Sequence, residues 1–214
     1  TMSMDDVKKL YEGIAGIAEE FGVAIVGGDT NSWKGSLVID VAMTAEPIAV
    51  RGPVRRSDAR AGDTIYVSGP LGGSITGRHL TFTPKIDLAG RLAHQPGLHA
   101  MMDISDGLSM DLHRLCLASH CAAELDEQAL ETVISDAARE LSKTDGRTPL
   151  DHALSDGEDF ELLVVGTDAL LHERFLLAAV GQIVSSRQNE PTMLLIHADG
   201  RREPLEPKGY EHFK

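Results

Sequence analysis

Four short stretches carry residue types able to hold a phosphate through a cation. In "AIVGGDTNSW", Gly27 and Gly28 allow positive φ and let a ligand approach the backbone closely. Asp29 beside them would repel a phosphate unless a cation lay between, so the combination suggests a metal–phosphate site. In "MMDISDGL", Asp103 is expected at the carboxyl end of a strand, with Ser105, Asp106 and Gly107 at the mouth of the next helix, where amides and the helix dipole favour anions. The same residues also read as a Ser105 N-cap with Asp106 in the first turn, which needs no ligand. "LSDGEDFELLVV" sets Glu158 and Asp159 ahead of an apolar strand, either as ligands or as a charged turn. "RRSDARAGD" offers Arg55, Arg56 and Arg60 as phosphate forks or as a solvated loop.

Composition narrows the chemistry. The chain has 214 residues, 42% of them hydrophobic, enough for one large domain or one domain and a piece of another. With 20 Lys and Arg against 33 Asp and Glu, the net charge of −13 opposes nonspecific binding to nucleic acid or an anionic membrane, so an anionic substrate needs local Arg residues or bridging Mg²⁺. No apolar run reaches a membrane span and no signal-peptide pattern opens the chain, so a soluble, cytoplasmic protein is expected. Cys116 and Cys121 fit neither a zinc pattern nor a disulfide framework and read as small buried side chains. The 9 histidines form no metalloprotease or triad signature, and no Walker loop is present. An EF-hand counted from Asp103 fails, because Arg114 stands where its Glu is required.

The elements that must position these residues follow from periodicity. Ser3 and Asp6 in capping-box spacing open an amphipathic helix through Val7, Leu10, Ile14, Ile17 and Phe21, stopped by Gly22. "VAIVGG" and "SLVIDVAMTAEPI" are expected as strands, and the Pro/Gly/Arg-rich "VRGPVRRSDARAGD" as a domain boundary near residue 52. Beyond it, "TIYVSGPLGG" is expected as a strand and turn, and further strands are expected ending in "MMDISDG", at "CAAELD", at "FELLVV", near 179–185 and near 192–197. Helices are expected around 86–94, over "LSMDLHRLCLAS", around 131–142 and near 168–178. Such alternation indicates an α/β or α+β domain.

Taken in order, "GGDT", "RRSDARAGDTIYVSGPLG", "DISDGL", "GEDFELL" and a terminal "GYEHF" resemble the thiamine-monophosphate kinases, in the superfamily of aminoimidazole ribonucleotide synthetase, from about Ser3 to Phe213. The resemblance implies a C-terminal α/β domain over 52–214 and, over 1–51, a remnant of a β-rich N-terminal domain that binds ATP and forms a homodimer. It implies transfer of the γ-phosphoryl of ATP to thiamine monophosphate with several Mg²⁺ ions and no covalent intermediate, hence no protein nucleophile. Gly28, Asp29, Arg56 and Ser105 would meet ATP; Asp29, Asp103 and Asp106 would ligate Mg²⁺; Glu158 and Tyr210, or else Phe213, would contact the thiamine moiety. A related ATP-dependent synthetase, or a noncatalytic nucleotide- or thiamine-binding module, is the alternative. Two departures stand out. Asp156 replaces the first Gly of the family's usual Gly-Gly-Glu-Asp, which is expected to put an extra carboxylate in or beside the substrate pocket. The family's upstream G-x-G-D-D-A-A segment does not appear, so the chain is expected to be a piece of a longer protein with little turnover alone.

Overall fold

The computed structural model describes residues 2–48, 52–167 and 174–210. Contacts divide the chain into two units, Thr1–Thr44 and Ala45–Lys214.

The first unit contains one helix, α1 (Met4–Glu20). Its start is the expected capping box: Ser3 Oγ accepts the Asp6 N–H at 3.1 Å, and the Asp6 carboxylate accepts the Ser3 N–H at 3.2 Å. Gly22, at φ +64°, lets the chain leave the helix. The two strands expected after it are not formed; residues 23–48 carry no helix or strand. Their residues have the right β-branched character, but a strand exists only through the ladder it makes with a partner backbone. No ladder engages this stretch among the described residues, and Val26, Val38 and Met43 are exposed.

The second unit is built on a seven-stranded sheet in the order β2-β4-β1-β5-β3-β6-β7. The strands are β1 (Thr64–Val67), β2 (Leu98–Ile104), β3 (Cys121–Asp126), β4 (Glu161–Gly166), β5 (Ala178–Ser185), β6 (Met193–Ile196) and β7 (Arg202–Pro204). β3 and β6 run parallel and every other neighbouring pair is antiparallel, an α+β arrangement. Period-2 alternation sends successive residues to opposite faces. Ile65, Val67, Leu163 and Val165 enter a large core, while Tyr66 and Val164 enter a smaller one. In β2 the parity changes, since Leu98 belongs to the small core and Ala100 and Ile104 to the large one. A register shift between Leu98 and Ala100 accounts for that reversal.

The large core is covered by α3 (Leu108–Ser119), α4 (Glu127–Glu131), α5 (Asp136–Asp145) and α6 (Pro149–Ser155), and the small one by α2 (Ile86–Ala93). The helix expected around 131–142 is α5, which starts later because Ser135 caps it by accepting the Ala138 N–H at 3.0 Å, and α4 ahead of it was not expected. Most of the helix expected near 168–178 lies outside the described residues, and Ala178 already begins β5. Cys116 and Cys121 are free, buried thiols, as expected.

Candidate functional site

The sequence "DISDG" spans the exit from β2 into α3. Asp103 is exposed on the sheet-edge strand β2, opposite Leu162. The N-cap of α3 is Gly107 at φ +117°, not Ser105, and no side chain caps it. A carboxylate one turn into the helix replaces that cap. Asp111, fully buried, accepts the N–H groups of Ser105 (3.0 Å) and Asp106 (2.9 Å) on Oδ2 and Arg114 Nη1 (3.1 Å) on Oδ1. Burial pushes its carboxyl above the ordinary range. Arg114 also pairs with Asp106 Oδ2, which raises the guanidinium.

Two distant segments dock on this loop through backbone bonds. Glu158 donates its N–H to Ser105 O at 2.7 Å, and Tyr210 donates its N–H to Asp106 O at 2.9 Å. Lys208 and Ser109 exchange two more bonds, from Lys208 N–H to Ser109 Oγ (3.0 Å) and from Ser109 Oγ–H to Lys208 O (2.8 Å). Close approach requires glycine: a Cβ on Gly157 would stand 2.8 Å from Ser105 O, and one on Gly209 would stand 2.1 Å from Asp106 O. Glu158 (φ +61°) and Phe160 (φ +51°) hold left-handed backbone on either side of Asp159, so the turn is strained where it faces the loop. Of the residues singled out in the second unit, Ser105, Asp106, Glu158 and Tyr210 therefore meet at one place. Phe213 lies outside the described residues.

Asp156 does not add a charge to an open pocket. Its carboxylate is largely buried in a structural network, accepting the Gly73 N–H (2.9 Å), lying 2.8 Å from His152 Nδ1 and pairing with Arg147 Nη1 at 2.7 Å. Next to it, both oxygens of Asp159 accept the Gly72 N–H, at 3.0 and 2.9 Å, and Arg78 Nη2 lies 3.0 Å away. Gly72 sits at φ +83°, and a Cβ there would meet Ala153 N at 2.8 Å. Gly72→Ala should therefore cost about 2–3 kcal/mol of stability, from left-handed strain plus a backbone clash. A urea melt showing a change below about 0.5 kcal/mol would refute this.

Desolvation pushes Asp159 up to about 7, against the pull of Gly72 and Arg78. Because the folded value exceeds the ordinary one of 3.8, ionisation burdens the folded state. The stability it contributes is intact below pH 3.8 and is lost as pH rises toward 7. We expect a falling stability across that window in wild type, at up to about 1.4 kcal/mol per pH unit, that is flatter in Asp159→Asn. Urea melts at stepped pH read this directly, and parallel slopes in the two proteins would contradict it.

The arginine loop lies elsewhere. Arg56 accepts Ser119 Oγ–H on its carbonyl at 2.7 Å, at the C-terminal end of α3, whereas Ser105 lies at the N-terminal end. The helix between them is about 18 Å long. A cavity of about 550 Å³ opens here, lined by Arg55, Ser57, Arg60 and His99 among others, and Arg56 is not in its lining. His99 Nδ1 stands 2.9 Å from both oxygens of the fully buried Asp63, a pairing that reading the motifs did not find. In the first unit, neither Gly27 nor Gly28 takes positive φ, contrary to the reason given for them. Asp29 Oδ1 accepts the Thr30 N–H at 2.8 Å, and Thr30 Oγ1 meets Tyr11 Oη of α1 at 3.2 Å.

Compared with known proteins, residues 60–190 match the AIR synthase related protein, C-terminal domain, and residues 1–47 match its N-terminal domain. A thiamine-monophosphate kinase of Rhodopirellula baltica is 44% identical over 155 residues, covering 72% of this chain and 48% of that protein. One from Salmonella typhimurium is 32% identical over 220 residues, covering 90% of this chain and 64% of that protein. The chain thus spans about half to two thirds of these relatives. Among solved structures, AaThiL complexed with AMPPCP and TMP superposes with TM-score 0.62 at 28% identity, covering 75% of this chain and 54% of that one. E. coli HypE, at 20% identity and TM-score 0.71 over 99% of this chain and 71% of that one, shares the fold.

Proposed function

From a chain that belongs to the AIR synthase related family, we propose a kinase that transfers the γ-phosphoryl of ATP to thiamine monophosphate, giving thiamine diphosphate and ADP. The observation that carries this is the meeting of the DISDG loop, the GEDF turn and the Gly209–Tyr210 segment through backbone bonds. Similarity to thiamine-monophosphate kinases, and to a ThiL structure holding an ATP analogue together with TMP, supports the choice of reactants.

In this reading Asp103 and Asp106 ligate Mg²⁺, Ser105 bonds to ATP, and Glu158 and Tyr210 hold the thiamine moiety. The donor set suits Mg²⁺. It consists of hard carboxylate oxygens, with Asp106 Oδ1 taking no bond among the described residues. No group of three His, Cys, Asp or Glu among the described residues is arranged to hold a metal ion by itself, and Mg²⁺ commonly keeps its waters and binds through one or two carboxylates plus substrate phosphates. When bound, Mg²⁺ neutralises the charge of two anions brought together. Transfer is direct and in line, with no protein nucleophile. We further propose that this chain alone turns over poorly and that the native protein is a cytoplasmic homodimer joined through its N-terminal domain; the exposed apolar residues of the first unit support such pairing. No helix among the described residues is long and apolar enough to cross a membrane.

The sparse metal donors also favour a second reading, a noncatalytic nucleotide- or thiamine-binding module. An ADP-release assay on the longest native form, with thiamine, thiamine monophosphate and aminoimidazole-pathway nucleotides, separates the two. ADP formed only with thiamine monophosphate supports the kinase; ADP formed with free thiamine alone overturns the substrate, and binding with no turnover leaves the module.

A further inference from the structure

The grip on Asp106 exceeds what anchoring a loop needs. Its N–H goes to Asp111 Oδ2 at 2.9 Å, its carbonyl receives the Tyr210 N–H at 2.9 Å, and its Oδ2 is taken by Arg114. Arg114 is itself fixed, because the same Nη1 lies 3.1 Å from Oδ1 of the buried Asp111. With both backbone groups and one carboxylate oxygen held, the side chain of Asp106 has one orientation and one oxygen to offer.

We propose that Arg114 is a positioning residue that turns Oδ1 of Asp106 outward as a metal ligand. This rests on the reading of Asp106 as a ligand of Mg²⁺. Pairing with the buried Asp111 serves the loop, and the second pairing of the same guanidinium, with Asp106 Oδ2, leaves the Asp106 side chain a single orientation. What it supplies is direction. Hydrogen-bonded partners of metal ligands fix ligand orientation, and their loss typically weakens metal binding about 10- to 100-fold. A cation so close also repels a metal, so orientation and repulsion predict opposite signs, and the experiment reads which one wins.

The probe is Mn²⁺ with AMPPCP, followed by the electron paramagnetic resonance signal of free Mn²⁺, on wild type, Arg114→Gln, Arg114→Lys and Asp106→Asn, each checked by a thermal melt. Positioning predicts Mn²⁺ binding about 10- to 100-fold weaker in Arg114→Gln and partly restored in Arg114→Lys, which keeps the charge. Affinity unchanged or tighter in Arg114→Gln, with a lowered melting temperature or without, overturns the proposal. In that case weaker binding by Asp106→Asn leaves the ligand assignment standing. If Asp106→Asn binds as well as wild type, or wild type does not bind, the ligand assignment fails and the positioning role fails with it.

Discussion

Replacing Asp111 with alanine should lower the free energy of unfolding by about 3–5 kcal/mol, measured by urea denaturation followed by circular dichroism. The side chain is fully buried, and three donors converge on it: the amides of Ser105 and Asp106 and the Arg114 guanidinium. Alanine leaves two partly buried N–H groups without an acceptor, each costing about 1–3 kcal/mol, and opens a cavity beneath a helix start that has no other side-chain cap. Asp111→Asn, which keeps one acceptor oxygen, should lose about half as much. The destabilisation should be larger at acidic pH and shrink as pH rises past the ordinary carboxylate range. Burial raises the Asp111 carboxyl, so the ionised form is the one that suffers most from its surroundings. A loss under about 1 kcal/mol for Asp111→Ala would mean that water, rather than this carboxylate, satisfies the loop.

Much of the second unit was legible from periodicity and caps. The strands at Thr64–Val67, Cys121–Asp126 and Met193–Ile196 and the helix Leu108–Ser119 stand where alternation and apolar spacing place them. The omissions have local causes. Helix α6 opens on Thr148-Pro149 with Asp151 completing a capping box, and a proline that reads as a breaker is there the favoured first residue. The expected strand at Phe160 begins one residue later, at Glu161, because Phe160 is held at φ +51° by the turn. In the first unit the opposite failure occurred. Strands were expected over residues 23–28 and 36–48 from their β-branched residues, but propensity cannot supply the partner backbone that turns an extended segment into a strand.

The site was legible in the same uneven way. Ser105, Asp106 and Glu158 were marked by polar residues near glycines and Tyr210 by resemblance, and backbone bonds gather the four. The residues that hold them were not marked. Asp111 has a signal in hindsight, an acid on the buried face of Leu108, Leu112 and Leu115, which only a paired or hydrogen-bonded charge tolerates. Asp156 gave no such signal, because Gly73 reaches it from 83 residues away. Arg56 was chosen among three arginines by resemblance, and its loop lies at the far end of α3 from Ser105.

Asp106→Asn should lower kcat/KM for ADP formation from ATP and thiamine monophosphate by about 100- to 1,000-fold in the longest native form. Asparagine preserves the size of the side chain and its Oδ1, so the loop keeps its backbone bonds to Asp111 and Tyr210. What disappears is one negative charge at the point where a cation must bridge two sets of phosphates. The ion pair with Arg114 goes too, leaving the guanidinium paired only with Asp111. Each tenfold loss corresponds to about 1.4 kcal/mol of transition-state stabilisation, and charge neutralisation is the main contribution available in a reaction with no nucleophile on the protein. The loss should shrink as Mg²⁺ concentration is raised, because part of it is weakened metal binding. Asp103→Asn should follow the same pattern, since that carboxylate stands exposed at the same strand end. If Asp106→Asn retained more than about a tenth of wild-type kcat/KM at every Mg²⁺ concentration, phosphoryl transfer would not run through this loop, and the backbone contacts at Ser105, Asp106, Glu158 and Tyr210 would have only a structural role.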